Sequence, residues 1–353
     1  MVTSIVTNLP TLCPNLQHID LKFLPKDPMI ATSVSGMFLT SDLDGLRSLK
    51  VDSPLAKDVH QVIRRLPNLR ELSVVIEGDT ILPPLVLPNL ADLTIQYDRD
   101  SAWLQIFSGA TFGNLESVTF HPTSEIIGDF LEVFEKIALA TSAQNTLSQF
   151  SLLTSFPWKP NYSSLLRFTQ LTSLTIGFSC DGGCTSTVDD NIVMDLARAM
   201  PKLNALHLGE APCDEIPIGV TTEGLAALSR YCPDLSALRV HFQVASLCAL
   251  PVNYRVASDP GSVAPQRVCA LTDLDVGEIP VPDDSVLMVA LNLSLIFPRI
   301  NNIEFDGENW ERVADAIFLS RAIVNYSSKN HPHSTPRTLV MPLQEPRQRT
   351  SVN

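Results

Sequence analysis

Leu66-Pro67-Asn68-Leu69-Arg70-Glu71-Leu72-Ser73-Val74 decides the fold, because it returns almost letter for letter as Leu87-Pro88-Asn89-Leu90-Ala91-Asp92-Leu93-Thr94-Ile95. Leu72 and Val74 lie two apart, so on an extended chain both point to one face, while Glu71 and Ser73 point to the other. Leu69 enters the strand and anchors the turn before it. Parallel sheets covered on both faces read as unbroken apolar runs. This stretch alternates, so one face of its sheet is expected to stay open to water.

Nine further copies follow the same frame. They are Leu16-x-x-Ile19-x-Leu21, Leu46-x-x-Leu49-x-Val51, Leu115-x-x-Val118-x-Phe120, Leu147-x-x-Phe150-x-Leu152 and Leu171-x-x-Leu174-x-Ile176, then Leu203-x-x-Leu206-x-Leu208, Leu235-x-x-Leu238-x-Val240, Leu271-x-x-Leu274-x-Val276 and Ile300-x-x-Ile303-x-Phe305. Their starts fall 21 to 36 residues apart, mostly in or near the period of leucine-rich repeats.

The connectors carry a second periodicity. Val59, Val62, Ile63 and Leu66 fall at i, i+3, i+4, i+7, as do Val193, Leu196, Ala197 and Met200, and Leu225, Leu228, Ser229 and Cys232. Each stripe begins ten residues before the first Leu of the next phrase. A helix held in phase with the following strand is a strand–helix repeat, right-handed as parallel crossovers nearly always are. No one unit buries enough to fold alone, so the array is expected to fold as one solenoid. The expected fold class is therefore α/β: a right-handed leucine-rich-repeat solenoid, or horseshoe, with a parallel concave sheet and helices or irregular connectors on the convex side. It spans 1–326 in about eleven repeats, closed by a C-terminal helix over 309–326, with 327–353 a disordered tail.

Within that frame, Val2, Ile5, Val6 and Leu9 open the chain inside a connector, so an upstream part lost or a partner covering this end is expected. Pro83-Pro84 leaves its connector too short for a helix. Trp103, Ile106, Phe107 and Ala110 make one apolar stripe, and Phe130, Val133, Phe134 and Ile137 another. Residues 177–187 form a loop, and 244–268, rich in Pro, is too long for an ordinary connector and reads as a flexible excursion. Trp310, Val313, Ala314 and Ile317 suit a closing helix. The tail carries Lys329, Arg337, Arg347 and Arg349 against Glu345.

A net charge of −13 argues against nucleic acid or an anionic membrane as partner. The longest apolar run, Val286–Phe297, is twelve residues, too short to span a bilayer, and no signal peptide stands at the N-terminus. Seven scattered Cys, with Cys13, Cys232 and Cys269 at buried connector ends, fit a reduced cytoplasmic or nuclear protein.

The strongest candidate site is the open face. Its outward positions include His18, Asp20, Ser48, Lys50, Glu71, Ser73, Asp92, Thr94, Ser117, Thr119, His121, Gln149, Ser151, Ser173 and Thr175, then His207, Arg239, His241, Asp273, Asp275, Asn302, Glu304 and Asp306. Singly, each also fits plain solvation of a sheet. As a whole, a long concave surface is what such solenoids use for binding, so a protein partner is expected there. His207, Arg239 and His241 suggest a basic, pH-sensitive patch, and Asp273, Asp275, Glu304 and Asp306 an acidic end suited to a basic segment. Cys180-x-x-x-Cys184 lacks a second ligand pair and reads as a loop, so no metal is expected. Asp189-Asp190 and Asp283-Asp284 precede helices as caps. No phosphate-binding, nucleophile-elbow, zinc-protease or dinucleotide motif occurs, so neither an enzyme nor a cofactor is expected.

Cys13-Pro14-Asn15-Leu16, Leu66-Pro67-Asn68-Leu69, Met200-Pro201-Lys202-Leu203 and Cys232-Pro233-Asp234-Leu235 resemble the repeats of F-box/leucine-rich-repeat proteins of the fungal type, over about residues 5–326. The resemblance implies the substrate-recognition subunit of a cullin-based E3 ubiquitin ligase, whose repeats hold the target while an F-box docks on the Skp adaptor. No F-box precedes the first phrase, so ligase components are expected as partners only if one lies upstream. The alternative is a ubiquitin-independent scaffold or regulator of the GTPase-regulating or inhibitor-like kind.

Overall fold

The computed structural model describes residues 9, 11–22, 35–39, 43–54, 57–64, 66–76, 85–97, 107, 110–122, 146–154, 162–178, 188–209, 219–249 and 267–330. All eleven phrases form strands: β1 (His18–Leu21), β2 (Ser48–Pro54), β3 (Glu71–Ile76), β4 (Asp92–Tyr97), β5 (Ser117–Pro122), β6 (Gln149–Thr154), β7 (Ser173–Phe178), β8 (Ala205–Leu208), β9 (Ala237–Val240), β10 (Asp273–Gly277) and β11 (Asn302–Phe305). They make one 11-stranded sheet in strict sequence order, with every neighbouring pair parallel. The chain is thus an α/β protein in which each strand pairs only with those before and after it.

A repeated backbone device sets the register. The carbonyl of the residue preceding each strand accepts two amides from the next unit. Gln17 O takes Arg47 N at 2.8 Å and Ser48 N at 3.0 Å, and Arg70 O takes Ala91 N at 2.8 Å and Asp92 N at 2.9 Å. Side chains reinforce the same seam: Asn68 Nδ2 donates to Asp44 O at 2.8 Å and Asn89 Nδ2 to Pro67 O at 2.7 Å. The Pro-Asn of the opening phrase is therefore a cross-unit clamp, satisfying a turn carbonyl that would otherwise lack a partner.

Inward positions form continuous buried rows. Leu49, Leu72, Leu93, Val118, Phe150, Leu174, Leu206, Leu238 and Leu274 are each about fully buried, and the Leu opening each phrase from Leu46 to Leu271 joins them. At β11, Phe305 occupies an inward position yet stays 37% exposed, because among the described residues β11 is the edge strand.

The connector helices are α1 (Lys57–Ile63), α2 (Asp190–Ala199), α3 (Thr222–Tyr231), α4 (Val244–Cys248), α5 (Val286–Ile296) and α6 (Trp310–Asn330). Their apolar stripes share one core with the inward rows, so they lie on the side of the sheet away from its polar positions. Asp189 caps α2 through Ile192 N at 2.8 Å. Asp190 reaches the next unit instead: its carboxylate accepts Thr221 N at 2.7 Å, Thr221 Oγ1 at 2.6 Å and Gly224 N at 3.0 Å, at the start of α3. The chain end of the sheet is closed by α6. Trp310 Nε1 donates to Ile279 O at 2.6 Å, and the Arg321 guanidinium donates to Ile300 O, near where a further unit's amides would bond.

Several expectations need correction. Asp283 and Asp284 sit in a 3-10 turn and cap nothing by hydrogen bond; Asp283 holds Arg312 Nη1 at 2.5 Å. Cys13 is exposed rather than buried: among the described residues β1 is the first strand of the sheet, so no neighbouring unit covers this side. The excursion expected over 244–268 opens as helix α4, because Val244 and Leu247 bury their side chains and Asn292 Nδ2 from α5 donates to Leu247 O at 2.6 Å. The closing helix expected over 309–326 is Trp310–Asn330, so 327–330 continue it. The stripe at 2–6, Pro83-Pro84, Trp103, Ile106, the helix expected near 130–137, Cys180 and Cys184, residues 250–266 and 331–353 lie outside the described residues.

Candidate functional site: the outward face of the sheet

Because the pleat alternates, the polar positions fall into two rows that cross all eleven strands. The first runs His18, Ser48, Glu71, Asp92, Ser117, Gln149, Ser173, Ala205, Ala237, Asp273 and Asn302. The second runs Asp20, Lys50, Ser73, Thr94, Thr119, Ser151, Thr175, His207, Arg239, Asp275 and Glu304. Neighbouring strands are spaced about 4.8 Å apart. Most of these side chains are exposed or half-buried. Ser48, at 5% exposure, is the exception; its hydroxyl donates to Glu71 Oε2 at 2.8 Å and is shut in by that bond.

Three zones follow from the rows. At the β1–β4 end the rows set one cation, Lys50, among the carboxylates of Asp20, Glu71 and Asp92. Lys50 Nζ stands 3.3 Å from Glu71 Oε2, and the Ser48 hydrogen bond, aided by Lys50, lowers the Glu71 pKa. Asp92, exposed overall, has its carboxyl pushed up by partial burial of that group and by the carboxylates of Glu71 and Glu116.

Across β3–β7 the second row is an unbroken run of hydroxyls, Ser73, Thr94, Thr119, Ser151 and Thr175. Short side chains also hold the first row from Ser173 through Ala205 to Ala237. The floor is therefore low and uncharged in its middle, with polar groups that both donate and accept. His121, one step further along β5, is held below the usual histidine range by burial.

The β8–β11 end is where the sequence grouping needs revision. The expected basic patch and acidic end are one cluster, because Thr175, His207, Arg239, Asp275 and Glu304 occupy a single register row. Arg239 Nε lies 3.3 Å from Asp275 Oδ2. Burial, then the Arg239 charge, lowers the His207 pKa, opposed in part by Asp275 and Glu304. His241 is lowered the same way, burial first and Arg239 second. Both imidazoles are thus disfavoured as cations, and the patch is not basic beyond Arg239 itself. Asp275 also accepts Gly277 N at 3.0 Å, where β10 bulges and Gly277 takes φ +57° beside His241 Nε2. Asp273 accepts Thr272 Oγ1 at 2.6 Å, while Glu304 and Asp306 stand exposed at the edge.

Aligning the phrases residue by residue would have found the Arg239–Asp275 pair, since both occupy the same place in their phrase. The same alignment sets Ser48 beside Glu71, but it does not show the burial of its hydroxyl. That burial depends on the rotamer of Glu71 one strand away. Among the described residues no group of His, Cys, Asp and Glu is disposed to hold a metal ion, and no helix is long and apolar enough to cross a membrane. No protein-family model matches the chain, and no curated protein matches it in sequence.

Proposed function

We propose that the chain is a protein-recognition module of the leucine-rich-repeat type, a right-handed solenoid whose polar sheet face is the concave binding surface. By resemblance its role is that of the target-holding subunit of a cullin-based ubiquitin ligase, without catalysis of its own. One observation carries the binding reading. Two registered rows, polar except at Ala205 and Ala237, cross eleven strands, and the described connector helices pack on the opposite side. Solvation accounts for polar residues on an open face, but a partner laid across the strands would also meet an ordered sequence of low hydroxyl ground between two charged ends.

The experiment is proximity labelling of the full chain in its native cell, paired with charge reversal at Arg239→Glu and Asp275→Lys. Recovery of the Skp adaptor and a target, with the target lost in both variants and the adaptor retained, supports the whole proposal. Recovery of a small GTPase or an enzyme without ligase subunits removes the ubiquitin part and leaves a regulator. A partner set unchanged by either reversal, and by Thr119→Arg in the middle zone, overturns the face as the binding surface.

A further inference from the structure

Helix α5 is the most apolar of the described helices with ten or more residues: Val286–Ile296 reads VLMVALNLSLI, with no charged residue. Val286, Val289, Ala290, Leu293 and Ile296 are buried against the core. A helix apolar on all sides belongs in an interior. Yet Leu287, Leu291 and Leu295 remain 73%, 46% and 52% exposed. They recur at i, i+4, i+8, which is one ridge of the helix surface and the kind of ridge that packs into a like groove on a second helix.

We propose that this ridge is a self-association surface, and that its occupant is α5 of a second copy of this chain in antiparallel array. The distribution of charge points to a copy rather than to an unrelated helix. About Leu291 the ridge is symmetric, with Leu287 four residues before it and Leu295 four after. Exposed Asp284 lies seven residues before Leu291 and exposed Arg299 eight after. A two-fold axis through Leu291 sets Leu287 against Leu295 of the other copy, Leu291 against itself, and the carboxylate at each end near the other copy's guanidinium. Such an isologous contact needs one self-complementary patch, and this is one. The helices cross at an inclination near 50° if both contribute i±4 ridges.

The ridge is narrow against the ~800 Å² per partner that a standard stable interface buries. The dimer is therefore reversible and concentration-dependent. It also leaves the outward sheet face clear, since α5 packs on the other side of the sheet. The inference does not depend on the proposed function.

The test is sedimentation equilibrium of the full chain across a wide concentration range, for the unaltered protein and for L291E, which sets two like charges at the axis. Expected are a monomer–dimer equilibrium and a loss of dimer affinity of roughly a hundredfold or more in L291E, with circular dichroism unchanged. R299E weakens the dimer, and adding D284R restores it. Mild oxidation of L291C gives a covalent dimer faster than V86C, which is exposed to a similar degree at a distant unit. A chain monomeric at every concentration, a dimer indifferent to L291E, or L291C no faster than V86C overturns the proposal. A monomer that floats with phosphatidylcholine vesicles through the same leucines assigns the ridge to a lipid surface and overturns it equally.

Discussion

Removing the Asp190 carboxylate tests how far each unit is stabilised by its neighbour. Asp190 belongs to α2 but serves α3, accepting Thr221 N, Thr221 Oγ1 and Gly224 N at 2.7, 2.6 and 3.0 Å. Hydrogen bonds to a charged group contribute ~1.5–3 kcal/mol each before non-additivity, and loss of a cap costs about 1 kcal/mol. Asp190→Ala leaves the Gly224 amide without its acceptor and should cost about 3 kcal/mol. Asp189→Ala loses one capping bond, from Ile192 N, and should cost about 1 kcal/mol.

Gly224 makes the case sharper. A Cβ there would stand 2.5 Å from Asp190 Oδ1 and 3.1 Å from Val220 Cγ1. Alanine in a helix is otherwise better than glycine by about 1 kcal/mol. With Asp190 present, Gly224→Ala must displace the carboxylate, and the net cost should be about 2 kcal/mol. With Asp190→Ala already made, the same change should stabilise by up to ~1 kcal/mol. The double-mutant cycle therefore predicts a coupling near 3 kcal/mol. The assay is urea denaturation followed by circular dichroism, with amide exchange at Thr221 and Gly224 as the local probe. Additivity within ~0.5 kcal/mol, or unchanged exchange at both amides, refutes the cross-unit cap.

Further predictions address the core, the cap and the charge network. Leu206→Ala should cost 2–5 kcal/mol, by ~kcal-scale loss of burial plus a cavity, whereas Thr175→Ala in the outward row should stay within ~0.5 kcal/mol; equal losses would deny the division into inner and outer rows. Trp310→Phe removes the donor to Ile279 O and should lower stability by about 1–3 kcal/mol, read from the urea midpoint. Acidification should destabilise the chain as pH falls through 6.5, the ordinary histidine value, towards the lowered values of His121, His207 and His241, because the unfolded state then binds more protons. Substituting all three with Gln should flatten that part of the pH–stability curve. Glu71 adds a second loss below 4.5, and Asp92, raised from 3.8, opposes it there.

The sheet and its order were legible in the chain because the leucine phrase has a strand's period of two and returns in one frame. Burying one face leaves no freedom of register: a slip by one residue would send Leu72 and its ten counterparts to the polar side. The outward rows were legible for the same reason, since whatever alternates with those leucines must face away. Asp190 was read as a cap, and it is one, but for the wrong helix. Its reach to Thr221 depends on how α2 and α3 pack.

By itself, then, the sequence determined the strands, the parallel order and which residues share the open face, all consequences of local periodicity. Tertiary structure alone decided the rest. It brought the aligned Arg239 and Asp275 to 3.3 Å, shut in the Ser48 hydroxyl beneath Glu71, lowered the pKa values of His207 and His241, and left Leu287, Leu291 and Leu295 of an uncharged helix in water. Each of these depends on distances between side chains of different units and on how much water reaches them, and a one-dimensional pattern carries neither quantity.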